Sequence, residues 1–143
     1  MSHSDKPKTI EGDWDRLYLE FPDVYDRFAL STTSGIAALC DWFDWTDKMV
    51  LDVGSGTGRS TFELAKKAGF VIGVEPWVSM REFAIAKARS QGISNVVFVN
   101  ATAEAMPFQD QSVDFIVSIH AFPFGFFFIG GQPKSAEQFL TRR

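Results

Sequence analysis

Short apolar runs alternate along this chain with amphipathic stretches. Four runs, "KMVLDV" (48–53), "FVIGVE" (70–75), "NVVFVN" (95–100) and "SVDFIVSIH" (112–120), are brief and rich in β-branched residues. Runs of this length and type, bounded by glycine or polar residues, read as buried strands. Between them, "RSTFELAKKAG" (59–69) reads as a helix stopped by Gly69. "SMREFAIAKARSQG" (79–92) reads as a helix opened by a capping box of Ser79 and Glu82 and closed by Gly92. Upstream, residues 13–30 are aromatic-rich and broken by Pro22, which predicts two short helices or a helix and a turn. Residues 31–43 offer several N-cap candidates and then an apolar face of Ile36, Leu39 and Phe43, the pattern of a further helix.

Strands that alternate with helices imply βαβ units and a parallel sheet. With 143 residues and no repeat or low-complexity linker, one domain is the simplest organisation. Residues 1–12 read as a polar leader, and 13–143 as the domain, with N-terminal helices over 13–45 and a core over 48–120. The net charge of −4 and the scattered basic residues argue against nucleic acid as a partner. Cys40 is the only cysteine, so no intrachain disulfide forms, and its apolar neighbours mark it as a small buried hydrophobe. Asp13, Asp15, Asp23 and Asp26 read as a solvated helical face and not as a metal site, and Lys66 and Lys67 as solvated surface. The most apolar window, 115–131, is short for a bilayer span of ~20 residues and is interrupted by His120, Pro123 and Gly125. No membrane partner is expected, and the cytoplasm is the default location.

The candidate chemistry centres on "VLDVGSGTGRS" (50–60), three alternating glycines directly after a strand and before a helix. Glycine admits tight turns and close approach of a ligand to the main chain, and the helix behind it presents unpaired N–H groups. The spacing is not that of a P-loop, because Arg59 and Ser60 stand where Lys and Ser/Thr are required. It is not the G-x-G-x-x-G of dinucleotide sites either, since Arg59 stands at the third position. Asp52, two residues before Gly54, would repel a pyrophosphate and suits a ligand with a cationic group. Glu75 ends the second strand, where nucleotide-binding folds of this kind place an acid that accepts bonds from ribose hydroxyls.

"VLDVGSGTG", followed by "VIGVEPW" and "VVFVNATAEAMPFQDQSVDFIVSIHAF" (96–122), resembles class I S-adenosylmethionine-dependent methyltransferases. The likeness is to the ubiquinone/menaquinone-biosynthesis type and related small-molecule enzymes, and it runs from Val50 to Ala121. "VYDRFA" (24–29) resembles the Tyr-Asp segment that precedes the sheet in that group. The resemblance implies an α/β, Rossmann-like fold with a parallel sheet and helices on both faces. It also implies S-adenosyl-L-methionine as cofactor, S-adenosylhomocysteine as product and a small-molecule methyl acceptor as partner. By position, Asp52, Gly54, Ser55 and Gly56 would hold the methionine end, and Glu75 the ribose hydroxyls. Pro76, Trp77 and Met80 would lie near adenine and ribose, Ala103 and Glu104 near the adenine ring, and Ser118 at the border with the acceptor. Thr102 replaces the acid that usually accepts the adenine amino group, which implies weaker cofactor binding.

His120 is the one candidate general base, placed just past the fourth strand. Tyr25 reads as a packed aromatic, with lining of the substrate mouth as the alternative. The family's sheet has seven strands, and the counterparts of strands five to seven are missing after His120. Strand four is then expected to be an exposed edge, with Phe122–Phe128 uncovered and available for a homodimer or another partner. Two rival readings stay open: a non-catalytic half-domain that binds cofactor or partner, and an NAD-dependent oxidoreductase.

Overall fold

The computed structural model describes residues 14–30, 36, 40–102, 105, 113–122 and 125–129. The expectations for the leader and for Leu39, Ala103 and Glu104 fall outside these residues, as do those for the side chains of Asp13, Asp15, His120 and Phe122–Phe128. Two short helices come first, α1 (Trp14–Glu20) and α2 (Pro22–Leu30). Pro22 opens α2, where its fixed φ fits and its missing N–H costs nothing. Within the next predicted helix, Ile36 and Cys40–Trp42 are helical, and Ile36 and Cys40 are buried as expected. Phe43 lies just past that helical turn, half exposed, with its ring against Trp45.

The core follows as β1 (Met49–Val53), α3 (Arg59–Ala65), β2 (Phe70–Val74), α4 (Val78–Ser90), β3 (Val96–Val99), β4 (Phe115–Phe122) and β5 (Gly125–Ile129). The sheet order is β3-β2-β1-β4-β5, and the first four strands are parallel. After β3 the chain crosses over β1 to reach β4. The loop after β1 therefore sits where the strand order reverses, the place where open α/β sheets bind ligands.

Each face of the sheet buries its own cluster. Val50, Val71, Val117 and Ile119 pack with Leu64 and Ala65 of α3 and with Ile36, Cys40 and Trp45. Leu51, Val53, Val74 and Ile116 pack on the opposite side with Ala101 and Val113. The alternation of Val50 and Leu51 between clusters is the period of two of a strand buried on both faces. Phe62 of α3 and Ala84 and Ala88 of α4 close over Phe98. No helix among the described residues is long and apolar enough to cross a membrane.

The structure corrects four expectations. Strand four is not the edge: β5 folds back antiparallel on it, pairing Ile116 with Ile129 and Phe122 with Gly125. A hairpin satisfies the unpaired backbone groups that a bare edge would leave. The predicted capping box does not form. Trp77 is the N-cap of α4 and makes no side-chain cap bond, and the Ser79 hydroxyl donates instead to the Tyr18 carbonyl at 2.6 Å. Asp26 is not solvated: it is buried and paired with Lys87 at 2.8 Å. Gly69 does not stop α3 as a left-handed residue, since α3 ends at Ala65 and Asn95 Nδ2 donates to the Ala65 carbonyl at 2.8 Å. Gly69 is needed for closeness, because a Cβ there would lie 2.9 Å from backbone atoms of Asp47. Gly92, in contrast, closes α4 with φ 65° and open space around it.

These two glycines predict different penalties. Gly69→Ala must push the Asp47 backbone aside and should cost about 1–3 kcal/mol. Gly92→Ala meets only the left-handed conformation and should cost about 1 kcal/mol. Urea unfolding of both variants checks the order, and an equal or reversed ranking would refute it.

Candidate functional site

The glycine loop is built from the carboxyl end of β1 and the first turn of α3. The Gly54 and Ser55 amides donate to the Val74 carbonyl at 2.8 and 3.1 Å, tying the loop to the end of β2. Gly58 is the N-cap of α3 with φ 92°, and a Cβ there would lie 2.6 Å from the Phe62 ring. No L side chain satisfies both conditions, so the third glycine is fixed by the helix packed behind it.

Glu75 leaves β2 with its carboxylate turned back onto the loop. Its Oε2 accepts the Gly56 amide at 2.8 Å and its Oε1 accepts the Trp77 amide at 3.0 Å. Burial pushes its pKa up, and these two amide bonds oppose the rise. Each carboxylate oxygen keeps a further lone pair for a ligand hydroxyl.

Asp52 is fully buried under the loop. Its Oδ2 accepts the hydroxyls of Ser60 and Thr61, each at 2.7 Å, while Oδ1 has no partner. Burial is the largest effect on its pKa, raising it from 3.8 to about 6 against the two hydroxyl bonds and the nearby Arg59 charge. Ser55 Oγ and Thr57 Oγ1 are also buried without a partner. Three unsatisfied oxygens clustered at one loop mark a place built for a polar guest. Ser60 and Thr61 are the partners of Asp52 that motif reading missed; the signal was two hydroxyl residues in the helical turn behind the glycines.

A roof of side chains lies over the loop. Met80 is buried, and its Cε lies 3.4 Å from where a Gly56 Cβ would stand; Tyr25 Cε1 lies 3.5 Å from the same point. Tyr18 meets Tyr25 edge to face at 5.2 Å and Trp77 at 6.1 Å. Pro76 is exposed at the rim. Ser118, on β4, is buried and donates to the Val53 carbonyl at 3.0 Å. The structure thus gathers Asp52, Gly54, Ser55, Gly56, Glu75, Trp77 and Met80 around one loop. Thr102 is exposed, in a backbone bridge with Ala105, and His120 is carried by β4. Among the described residues no cluster of His, Cys, Asp and Glu could hold a metal ion.

The set fits an S-adenosyl ligand. A buried acid with one unpartnered oxygen lies beside the loop, and a carboxylate with spare lone pairs ends β2.

Comparison with known proteins agrees. The family profile described as "Methyltransferase domain" matches residues 50–127. The chain is 38% identical over 72 residues to an uncharacterized methyltransferase, YcgJ, of Bacillus subtilis, covering 50% of this chain and 28% of that protein. The solved structure of YcgJ superposes with a TM-score of 0.58 at 31% identity, covering 60% of this chain and 37% of that one. The demethylmenaquinone methyltransferase of Lactococcus lactis is 36% identical over 76 residues, covering 51% of this chain and 30% of that protein. A 16S rRNA (adenine(1408)-N(1))-methyltransferase of Escherichia coli is 36% identical over 85 residues, covering 55% and 38%. The chain therefore spans well under half the length of these relatives. With the profile covering more than half of the chain, and the glycine loop seated at the reversal of a Rossmann-like sheet, the chain belongs to the methyltransferase domain family of class I, S-adenosylmethionine-dependent enzymes.

Proposed function

We propose that this chain binds S-adenosylmethionine on the 54–58 loop and serves methyl transfer to a small molecule. The observation that carries the reading is Glu75: a buried carboxylate at the end of β2 that clamps the Gly56 and Trp77 amides. Such an acid suits the vicinal hydroxyls of a ribose. The Gly54–Gly56 backbone and Ser55 would hold the aminoacyl end, with the buried Asp52 setting negative charge beneath it. Pro76, Trp77 and Met80 would flank adenine and ribose, together with Thr102, Ala103 and Glu104. When bound, the cofactor supplies a methyl group activated on a cationic sulfur. The residues of this chain would orient that group, exclude water from it and meet its charge, which is what a direct displacement requires of a protein. Ser118 would border the acceptor, and His120 is the candidate base where the acceptor must first lose a proton. The net charge of −4 favours a small acceptor over a nucleic acid.

Transfer of labelled methyl from S-adenosylmethionine to a panel of quinol, phenol and amine acceptors tests the reaction.

Two further outcomes are expected. Calorimetry should show binding of S-adenosylhomocysteine and none of NAD. Glu75→Gln, which removes one amide acceptor and a charge, should weaken the former about 30-fold or more. Unchanged affinity in that variant, or tighter binding of NAD, would remove the basis of the proposal.

Asp52 gives a pH test with a definite sign. Its pKa is raised in the folded chain from 3.8 to about 6. Its protonated form therefore favours folding below pH ~4, and that contribution is lost as pH rises through ~6. A midpoint displaced this far corresponds to roughly 3 kcal/mol. Asp52→Asn should thus stabilise the ligand-free chain at pH 7–8 by an amount of that order, leave it unchanged near pH 4, and weaken S-adenosylhomocysteine. Urea titrations at the two pH values, in parallel with calorimetry, measure both effects; a variant less stable than the parent at pH 8 would contradict the assignment.

A further inference from the structure

Helix α2 is seated the wrong way round for an ordinary surface helix. Its outward stripe carries Val24 and Phe28, with Phe21 just before the helix, and these are 41%, 56% and 42% exposed. Its inward face presents Tyr25, Asp26 and Ala29. The inward face lacks large aliphatic side chains, and polar ties help to hold α2.

Among the described residues, one such tie runs to each of α3 and α4. Lys87 Nζ, in the last turn of α4, meets Asp26 Oδ2 at 2.8 Å, with the two side chains only 17% and 8% exposed. Arg59, the first residue of α3, is buried and donates from Nη1 to the Ala29 carbonyl at 2.8 Å. A third bond, Ser79 to the Tyr18 carbonyl, holds α1 in the same way. Buried ion pairs contribute little net stability, because desolvation offsets their attraction; their best-attested use is to fix one geometry. The geometry fixed here is that of Tyr25, which stands one residue before Asp26 and a turn before Ala29. Its ring lies 3.5 Å and its hydroxyl 3.9 Å from where a Gly56 Cβ would stand. The Tyr25 phenol is thus held beside Gly56, whose amide Glu75 clamps.

We infer that Tyr25 contacts the ligand held on the glycine loop, and that Lys87 and Arg59 are positioning residues that act on this site through α2. The inference rests on the cofactor reading above and adds to it the elements that close the site. Tyr25 would lie against the aminoacyl end of the ligand, the part nearest Gly56. Burial raises the Tyr25 pKa, so the phenol is a hydrogen-bond donor at neutral pH. Lys87 and Arg59 would act by setting where the phenol stands, through Asp26 and the Ala29 carbonyl.

The test is calorimetry and stopped-flow dissociation with S-adenosylhomocysteine. Lys87→Met and Arg59→Leu should each weaken binding about tenfold, through faster dissociation. Lys87→Arg, which keeps the pairing charge, should stay within about threefold of the parent. Tyr25→Phe should lose about fivefold and keep the parent's melting temperature. Should Lys87→Met fail to fold because Asp26 is left buried alone, the double variant Asp26→Leu/Lys87→Met removes both charges and should fold while still dissociating faster. Binding by Tyr25→Phe and the Lys87 variants within twofold of a parent that does bind would overturn this inference alone. A parent that binds no S-adenosylhomocysteine would overturn the cofactor reading and this inference with it.

Discussion

One carboxylate joins the two crossovers of the sheet. Glu75 leaves β2 and accepts an amide from the loop after β1 and another from the turn that begins α4. The left-handed glycines let Gly56 turn its N–H toward that acid. The Val74 carbonyl, one residue earlier, takes the Gly54 and Ser55 amides. The shape of the loop is thus written largely on β2. A ligand that engages Glu75 engages both crossovers at once, so the site is preorganised before anything binds.

The acids of the chain divide by depth. Asp23 and Asp41 are solvated and pair loosely with Arg27 at 3.5 Å and Lys67 at 3.7 Å, contacts of little energetic weight. Asp26, Asp52 and Glu75 are buried, and each ties down one element: α2, the first turn of α3 and the loop itself. Asp52 is the least comfortable. Its second oxygen has no partner and its pKa lies near 6, so the ligand-free fold carries a strained charge that a cationic guest would relieve.

Much of the core was legible because strand and helix periods leave strong marks. The four parallel strands and α4 fall within a few residues of their apolar runs, and the glycine loop announced its place between β1 and α3. What sequence could not show depended on distant partners. Ser79 and Glu82 spell a capping box, yet the Tyr18 carbonyl, 61 residues away, claims the hydroxyl. Asp26 reads as a solvated acid until Lys87, equally far along the chain, is folded against it. Gly69 reads as a helix stop until the Asp47 backbone is seen beside it. β5 escaped notice because an unbroken aromatic run carries no alternation to identify it as a strand.

The outward stripe of α2 has a thermodynamic meaning. Phe21, Val24 and Phe28 are already about half in water, so lifting α2 from α3 and α4 would add little to their exposure. Heat capacity tracks apolar exposure, and this motion would carry a small heat-capacity change. Its equilibrium would then vary weakly with temperature. The Asp26–Lys87 pair is what such a motion would break, and the freed charges would be screened by ions. An opening of the roof would then answer to ionic strength more than to warmth.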